Sequence, residues 1–386
     1  MEIGQVVNNY HPDGLTAALL AASSFDDTVC IFNGPQGCFN YQASVSGHYA
    51  NYDLVQKIDN RVQCLRVENE DYIFGTRDKI EKALRNMDDN GYSLIVLIDS
   101  PGVSVTGDSL RSFRCTKTSP FLHLKSRFDS IDYTSAYDHS VKQILDTLKE
   151  PPFRHPQKRS VNLVGCPPSL IGWKESVEEL TDILALAGID VMSTPGCGGS
   201  YGTLGTSFDA EATVPIIPEY CKDTCKYYSD LGICKVDTGG VVPIGFDNTR
   251  RWIESVCVHF GSDPSKAVEY IELCQKRTSK LMRISYYGDM LERSRFCVQS
   301  VPSVESSLSN WLESYVGMIR SDVSDLQDCR FMFGMGFATE QVGFDYPGVR
   351  GIALEFPPLY KTRFVPVQTF GCKGSLYILD ELFSGI

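Results

Sequence analysis

The sequence predicts an α/β protein built on parallel β-sheets, and two observations carry that prediction. Short β-branched runs, glycine-bearing turns and helix-length amphipathic stretches alternate along the chain, which is the order that sets strands parallel with helices between them. At 386 residues, and with roughly 100–200 residues per domain, the chain is long enough for two or three such units.

Taken in order, Thr28-Val-Cys-Ile-Phe32 reads as a buried strand that breaks at Gly34, Pro35 and Gly37, with Cys38 directly after. Ser93 to Ile98 reads as a second strand, ending at Asp99-Ser-Pro-Gly102, and Ser160 to Gly165 as a third, followed by Cys166-Pro-Pro-Ser169. The next helix sets Glu175, Glu178 and Glu179 on a wet face and Val177, Leu180, Ile183 and Leu184 on a dry one. Gly188 stops it, and Ile189 to Met192 starts another strand. Thr213 to Ile217, Cys329 to Phe333 (ending in Gly334-Met-Gly336) and Gly351 to Glu355 are further strands. The polar, proline-rich stretch Lys149 to Lys158 reads as a linker, and a second boundary is expected between Gly261 and Arg283. Ligands of parallel sheets bind beyond the carboxyl ends of the strands, so the loops at Gly34, Ser100, Cys166 and Gly196 are where a site is expected.

Composition narrows the function classes. Hydrophobic residues make up 42% and charged residues 22% of the chain, and the net charge is −12. That balance lacks the basic footprint of a nucleic-acid binder. No apolar run is long enough for a membrane span, and MEIGQVVNNYHPDGL lacks the basic and apolar regions of a signal peptide. A cytoplasmic protein with reduced thiols is expected. The 14 cysteines are scattered rather than set in a compact CxxC…CxxC zinc pattern, so most are expected to be buried hydrophobes and a few to bind a metal cluster.

Three stretches carry chemistry. In Gly34-Pro-Gln-Gly-Cys38 the glycines allow close backbone approach or positive φ. The thiol reads equally as a metal ligand or nucleophile and as a packed cysteine at a tight turn. Arg66 to Gly75 clusters Glu68, Glu70 and Asp71 ahead of a helix from Asp78, and alone reads as a solvated acidic turn. Ile98 to Asp108 crowds small and hydroxyl residues at a strand end; no Walker lysine follows its glycines and no G-x-G-x-x-G opens a helix there, which excludes a P-loop and a dinucleotide fingerprint.

In this order the three stretches resemble component 1 of the nitrogenase-like oxidoreductases, whose pattern has a Gly-Pro-x-Gly-Cys loop, an E-x-D-x-x-F-G segment and a C-P-x-x-x-x-G-D-D loop. The matching pieces are Gly34 to Cys38, Glu70 to Gly75 (with Asn69 where the pattern has its glutamate) and Ser100 to Asp108, one residue longer. Pro243-Ile-Gly245 with Thr249 resembles the family's P-x-G-x-x-x-T segment, and Gly371-Cys-Lys-Gly374 its C-terminal G-x-x-G helix start. Of the family's three cluster cysteines only Cys38 has a counterpart; His11-Pro-Asp-Gly14 and Ser100 stand at the other two positions, and Ser109 replaces the second aspartate.

The resemblance implies three Rossmann-like domains with parallel sheets around a central cleft, at 1–155, 156–274 and 275–386. It implies the catalytic component of a two-component reductase. An ATP-hydrolysing iron–sulfur reductase would be the partner, and a homodimer or a heteromer with a paralogous subunit the assembly. The implied cofactor is an iron–sulfur cluster, here the smaller 4Fe–4S type shared across a dimer, with a second metal or a tetrapyrrole ligand in the cleft. Gly34, Pro35, Gly37, Ser100 and Gly102 would surround the cluster, and Cys38, Cys64, Cys115 and Cys197 are the candidate metal ligands. A metallocofactor scaffold or carrier of the same fold is the alternative, as is a small-ligand binder without a cluster. Cys221 and Cys225, four apart, are a weaker metal pair; Cys30 reads as core, His48 as a loop histidine and His259 as a structural one on an amphipathic helix. No catalytic residue is legible.

Overall fold

The structure, a computed structural model, describes residues 13–40, 61–88, 90–104, 119–124, 133–151, 153–282, 289–355 and 366–384. The expectations at Cys115, His48 and the far end of the Ser100–Asp108 loop lie outside the described residues.

The predicted parallel α/β architecture is present as three four-stranded, wholly parallel sheets. The first holds β1 (Thr28–Asn33), β2 (Val62–Cys64), β3 (Leu94–Asp99) and β4 (Phe121–Leu124). The second holds β5 (Ser160–Val164), β6 (Asp190–Ser193), β7 (Ala212–Pro215) and β8 (Cys234–Lys235). The third holds β9 (Arg295–Val298), β10 (Ile319–Arg320), β11 (Phe331–Met335) and β12 (Arg350–Glu355). Each sheet is ordered second–first–third–fourth. The winding therefore reverses between the first and third strands of each sheet, and a switch point of this kind leaves a crevice at the carboxyl edge.

Alternation sorts the strand residues. In the first sheet Cys30, Phe32, Val96 and Ile98 face the helices Gly14–Ser23 and Tyr133–Leu145, whereas Val29, Ile31, Ile95 and Leu97 face the helix Arg77–Asp88. The first of these cores does not stop at the sheet. It runs on through Leu163 and Val214 of the second sheet to Phe296 and Phe333 of the third as one contiguous apolar cluster.

Polar joints align the three units. Asp27, just before β1, accepts the N–H groups of Tyr201 (2.6 Å) and Gly202 (2.9 Å) at the start of the 3₁₀ helix Tyr201–Asp209. Buried Asp138 accepts Asp223 N–H (2.6 Å), Thr224 N–H (3.0 Å) and the Thr224 hydroxyl (2.7 Å), capping the helix Lys222–Asp230. Glu219 accepts Ser303 N–H (2.9 Å) and its hydroxyl (2.5 Å) in the first turn of Pro302–Trp311. Each is a carboxylate at a helix N-terminus, where free N–H groups and the helix dipole favour negative charge, but supplied from another part of the chain.

Glu179 completes the set and corrects an expectation. It belongs to the helix Trp173–Leu186 and was expected on the wet face, yet it is 2% exposed. The C-terminal helix Gly371–Phe383 covers it, and it accepts Lys373 N–H (3.1 Å), the Tyr270 hydroxyl (2.8 Å) and the Gln368 amide. Burial pushes its carboxyl above the usual range despite those donors. Val177, Leu180, Ile183 and Leu184 are buried as expected. Pro243 and Gly371, from the two downstream motifs, are joined by a hydrogen bond of Gly371 N–H to Pro243 C=O at 2.8 Å. The stretch read as a linker is pinned by Arg154, whose guanidinium donates to the carbonyls of Phe208 (2.6 Å), Leu231 (2.9 Å) and Ala210 (3.1 Å).

Candidate functional site: two thiols at one sheet edge

The Gly34 and Ser100 loops follow β1 and β3, so they flank the switch point of the first sheet. Ser100 N–H bonds Asn33 C=O at 2.9 Å, which draws the two loop starts together. A Cβ on Gly34 would lie 2.7 Å from the Phe32 ring and from Ser100 Cβ; this glycine serves close approach and not positive φ. Among the described residues nothing lies within 4 Å of a Cβ placed on Gly37. The chain then enters a helix at 36–40, with Cys38 half-buried in its first turn.

β2 brings the second thiol. It pairs with β1 so that Cys64 stands beside Phe32, and Leu65 N–H and Val67 N–H bond Phe32 C=O (2.9 Å) and Gly34 C=O (3.0 Å). Cys64 Sγ lies 3.6 Å from Gly34 C=O and accepts Arg66 N–H at 3.4 Å. Burial is the main cause that pushes the Cys64 thiol up; the nearby Cys38 adds to it and Arg66 opposes it. Cys38 and Cys64, 26 positions apart in sequence, thus share one half-buried edge. Ser100, whose Oγ is buried, stands behind Gly34. Gly102 backs onto Tyr72 of the short helix Asp71–Phe74. In that helix Ile73 is 76% and Phe74 84% exposed, so the acidic segment presents an apolar tip rather than a merely solvated turn. Asp71 itself pairs with Lys79 at 2.6 Å.

The opposite face of the same edge carries a group that sequence reading missed. Asp99 accepts the Asn33 amide at 2.8 Å through Oδ1 and meets His123 Nε2 at 2.6 Å through Oδ2, and the Asn33 amide also reaches Thr76 Oγ1 at 3.1 Å. A carboxylate held on one side by an amide and on the other by an imidazole orients that imidazole.

A third constellation lies where the carboxyl edges of the second and third sheets meet. Leu170 bridges to Glu355, and Ile171 N–H bonds Leu354 C=O at 3.0 Å. Around this seam Glu355 accepts the Ser300 hydroxyl (2.8 Å) and faces the Tyr220 hydroxyl (3.4 Å). The Tyr133 ring packs edge-on to Tyr220 at 6.1 Å. Burial raises the phenols of Tyr133 and Tyr220, so both keep their protons at neutral pH. These residues come from all three units, Tyr133 from the start of a helix, Tyr220 from a 3₁₀ turn and Glu355 from the end of β12, and no spacing in the sequence marks them.

The second-domain thiols are packed differently. Cys197 is 2% exposed, its Sγ accepts Cys166 N–H at 3.0 Å, and burial pushes it up to about 12. The glycines beside it are filled against rather than open to a ligand: a Cβ on Gly196 would strike Val141 at 2.7 Å and one on Gly198 would lie 3.1 Å from Trp173. Cys221 and Cys225 are buried against Val164, and Cys30 is core, as expected. His259, expected to be structural, is exposed. Among the described residues no group of three or more His, Cys, Asp or Glu is arranged to hold a metal, and no helix is long and apolar enough to cross a membrane.

Comparison with known proteins bears on this arrangement. A family model described as nitrogenase component 1 type oxidoreductase matches residues 14–321. A solved structure titled nitrogenase Cp1 at pH 6.5 has a TM-score of 0.75 at 13% identity, over 96% of this chain and 90% of that one. A second, titled nitrogenase Cp1 at pH 5, has the same score and identity over 97% and 88%. No curated protein matches in sequence. At this identity the two structures speak for the fold alone. The family match covers far more than half of the sequence and includes both thiols, and on it the chain belongs to the nitrogenase component 1 type oxidoreductases.

Proposed function

We propose that this chain is the catalytic component of a two-component, nitrogenase-like reductase of the cytoplasm, with domains at 1–155, 156–274 and 275–386. It takes electrons from a separate ATP-hydrolysing iron–sulfur reductase and delivers them to a substrate in the interdomain cleft. One observation carries the reading: Cys38, in the helix that follows β1, and Cys64, at the end of the neighbouring β2, stand at the same carboxyl edge of the first sheet.

The residues fit an iron–sulfur cluster in part. Two half-buried thiols stand at one edge, and among the described residues nothing lies within 4 Å of a Cβ on Gly37 beside Cys38. Four thiolates are the usual complement of a 4Fe–4S cluster, so the same pair from a second copy, or from a paralogous subunit, completes the set. The exposed Ile73 and Phe74 near this edge suit such a contact. When bound, the cluster supplies one-electron transfer. The chain's own part is to hold it through Cys38 and Cys64; at the seam of the second and third sheets the buried phenols of Tyr133 and Tyr220 are grouped with the carboxyl of Glu355. A cofactor scaffold or carrier without turnover is the competing reading, and Ser100 at a family ligand position favours it.

Iron and sulfide analysis of anaerobically purified protein is the test. The expected result is about one cluster per two chains, lost in both Cys38→Ala and Cys64→Ala. Iron content unchanged by both substitutions would sink the cluster assignment. A retained cluster that no ATP-dependent reductase reduces would leave the scaffold standing in place of the enzyme.

A further inference from the structure

Cys234 opens the edge strand β8 and is the one exposed cysteine among those described. Its Sγ lies 3.5 Å from His259 Nε2 and 3.8 Å from Glu211 C=O. His259 sits in the last turn of the helix Phe246–Phe260, is itself exposed, and stands edge-on to the Phe260 ring at 4.8 Å. That ring limits where the imidazole can swing. A thiol with an imidazole nitrogen within hydrogen-bond reach is the arrangement of a base-assisted sulfur nucleophile.

We propose that Cys234 and His259 form a nucleophilic pair that takes up one half of a small-molecule disulfide, making Cys234 a site of reversible S-thiolation. The site lies on the second sheet, apart from the Cys38 edge of the first. His259 Nε2 accepts the thiol proton. The Cys234 thiolate attacks one sulfur of the disulfide, the Cys234–sulfur bond forms as the disulfide bond breaks, and the departing thiolate takes the proton from the imidazolium. Cys234 sulfur is oxidised, the departing sulfur is reduced, and the disulfide is the only oxidant needed. The open edge of β8 admits a reactant of that size, whereas the buried thiols at Cys197, Cys225, Cys297 and Cys372 offer no such access.

The test exposes the protein as isolated to glutathione disulfide and, separately, to dithiodipyridine, and maps adducts on its peptides by mass spectrometry over time. The first adduct is expected on Cys234, it should be absent in Cys234→Ser, and His259→Gln should slow it about tenfold with the thermal midpoint unchanged. Both residues are on the surface, so the variants should fold. An adduct rate at Cys234 that is the same in His259→Gln, or no faster in the folded protein than in the urea-unfolded chain, would overturn the proposal.

Discussion

Replacing Asp138 by alanine should loosen the joint between the first and second units. The carboxylate accepts three hydrogen bonds, two of them from N–H groups in the first turn of Lys222–Asp230. Deleting a cap of this kind costs about 1–2 kcal/mol. The Thr224 N–H, at 1% residue exposure, then has no acceptor and no water, which adds about 1 kcal/mol. Removing a carboxyl that burial already disfavours as an anion returns part of this, so the expected net loss is about 2 kcal/mol. Urea denaturation gives the total, and amide hydrogen exchange at 222–226 shows whether it falls on the capped turn. The pH dependence has a definite sign. The folded carboxyl sits above its ordinary 3.8 because of burial, so the fold binds this proton more tightly than the unfolded chain. That contribution is whole below 3.8 and is lost as pH rises through the folded value. The stability advantage of the native protein over Asp138→Asn should therefore shrink across that window. A loss under about 0.5 kcal/mol for the alanine variant, with exchange at 222–226 unchanged, would refute the capping argument.

Other predictions follow from the same geometry. Gly34→Ala should cost about 1–3 kcal/mol because its Cβ would overlap Phe32 and Ser100. Ser100→Gly in the same chain should recover part of that, while Gly37→Ala, whose Cβ meets nothing within 4 Å among the described residues, should leave the urea midpoint of the cluster-free protein nearly unmoved. Arg154→Ala removes donors to three backbone carbonyls and should cost about 2 kcal/mol, with faster protease cleavage in the 149–158 stretch as the readout.

What could be read from the sequence follows how locally each feature is determined. The runs at Val29–Phe32, Leu94–Ile98 and Phe331–Phe333 are buried on both faces, so their apolar character is continuous and marks them as parallel strands. β2, β8 and β10 have two or three residues each and lie at sheet edges, where one side is wet and no such run forms. The Gly34–Cys38 loop announced itself through its glycines and proline. Its partner was different: Cys64 reaches the edge that carries Cys38 only because β2 pairs in register with β1. Glu179 misled for the same reason. Its helix gives it a wet-face position, and only Tyr270, Gln368 and Lys373, each more than 90 residues away, dry it out. The Asp99–His123 pair and the Tyr133–Tyr220–Glu355 group are likewise products of packing between segments.

The continuous core has a consequence for what a unit means in this molecule. The sheets keep separate hydrogen-bond ladders, yet Phe32, Leu163 and Phe333 belong to one apolar cluster. An excised third of the chain would carry a complete ladder with a bare greasy flank, and so would not stand by itself. The three sheets are modules of topology and not of stability. The assembled protein is expected to melt in one cooperative step, as a keystone arch fails when any of its stones is drawn.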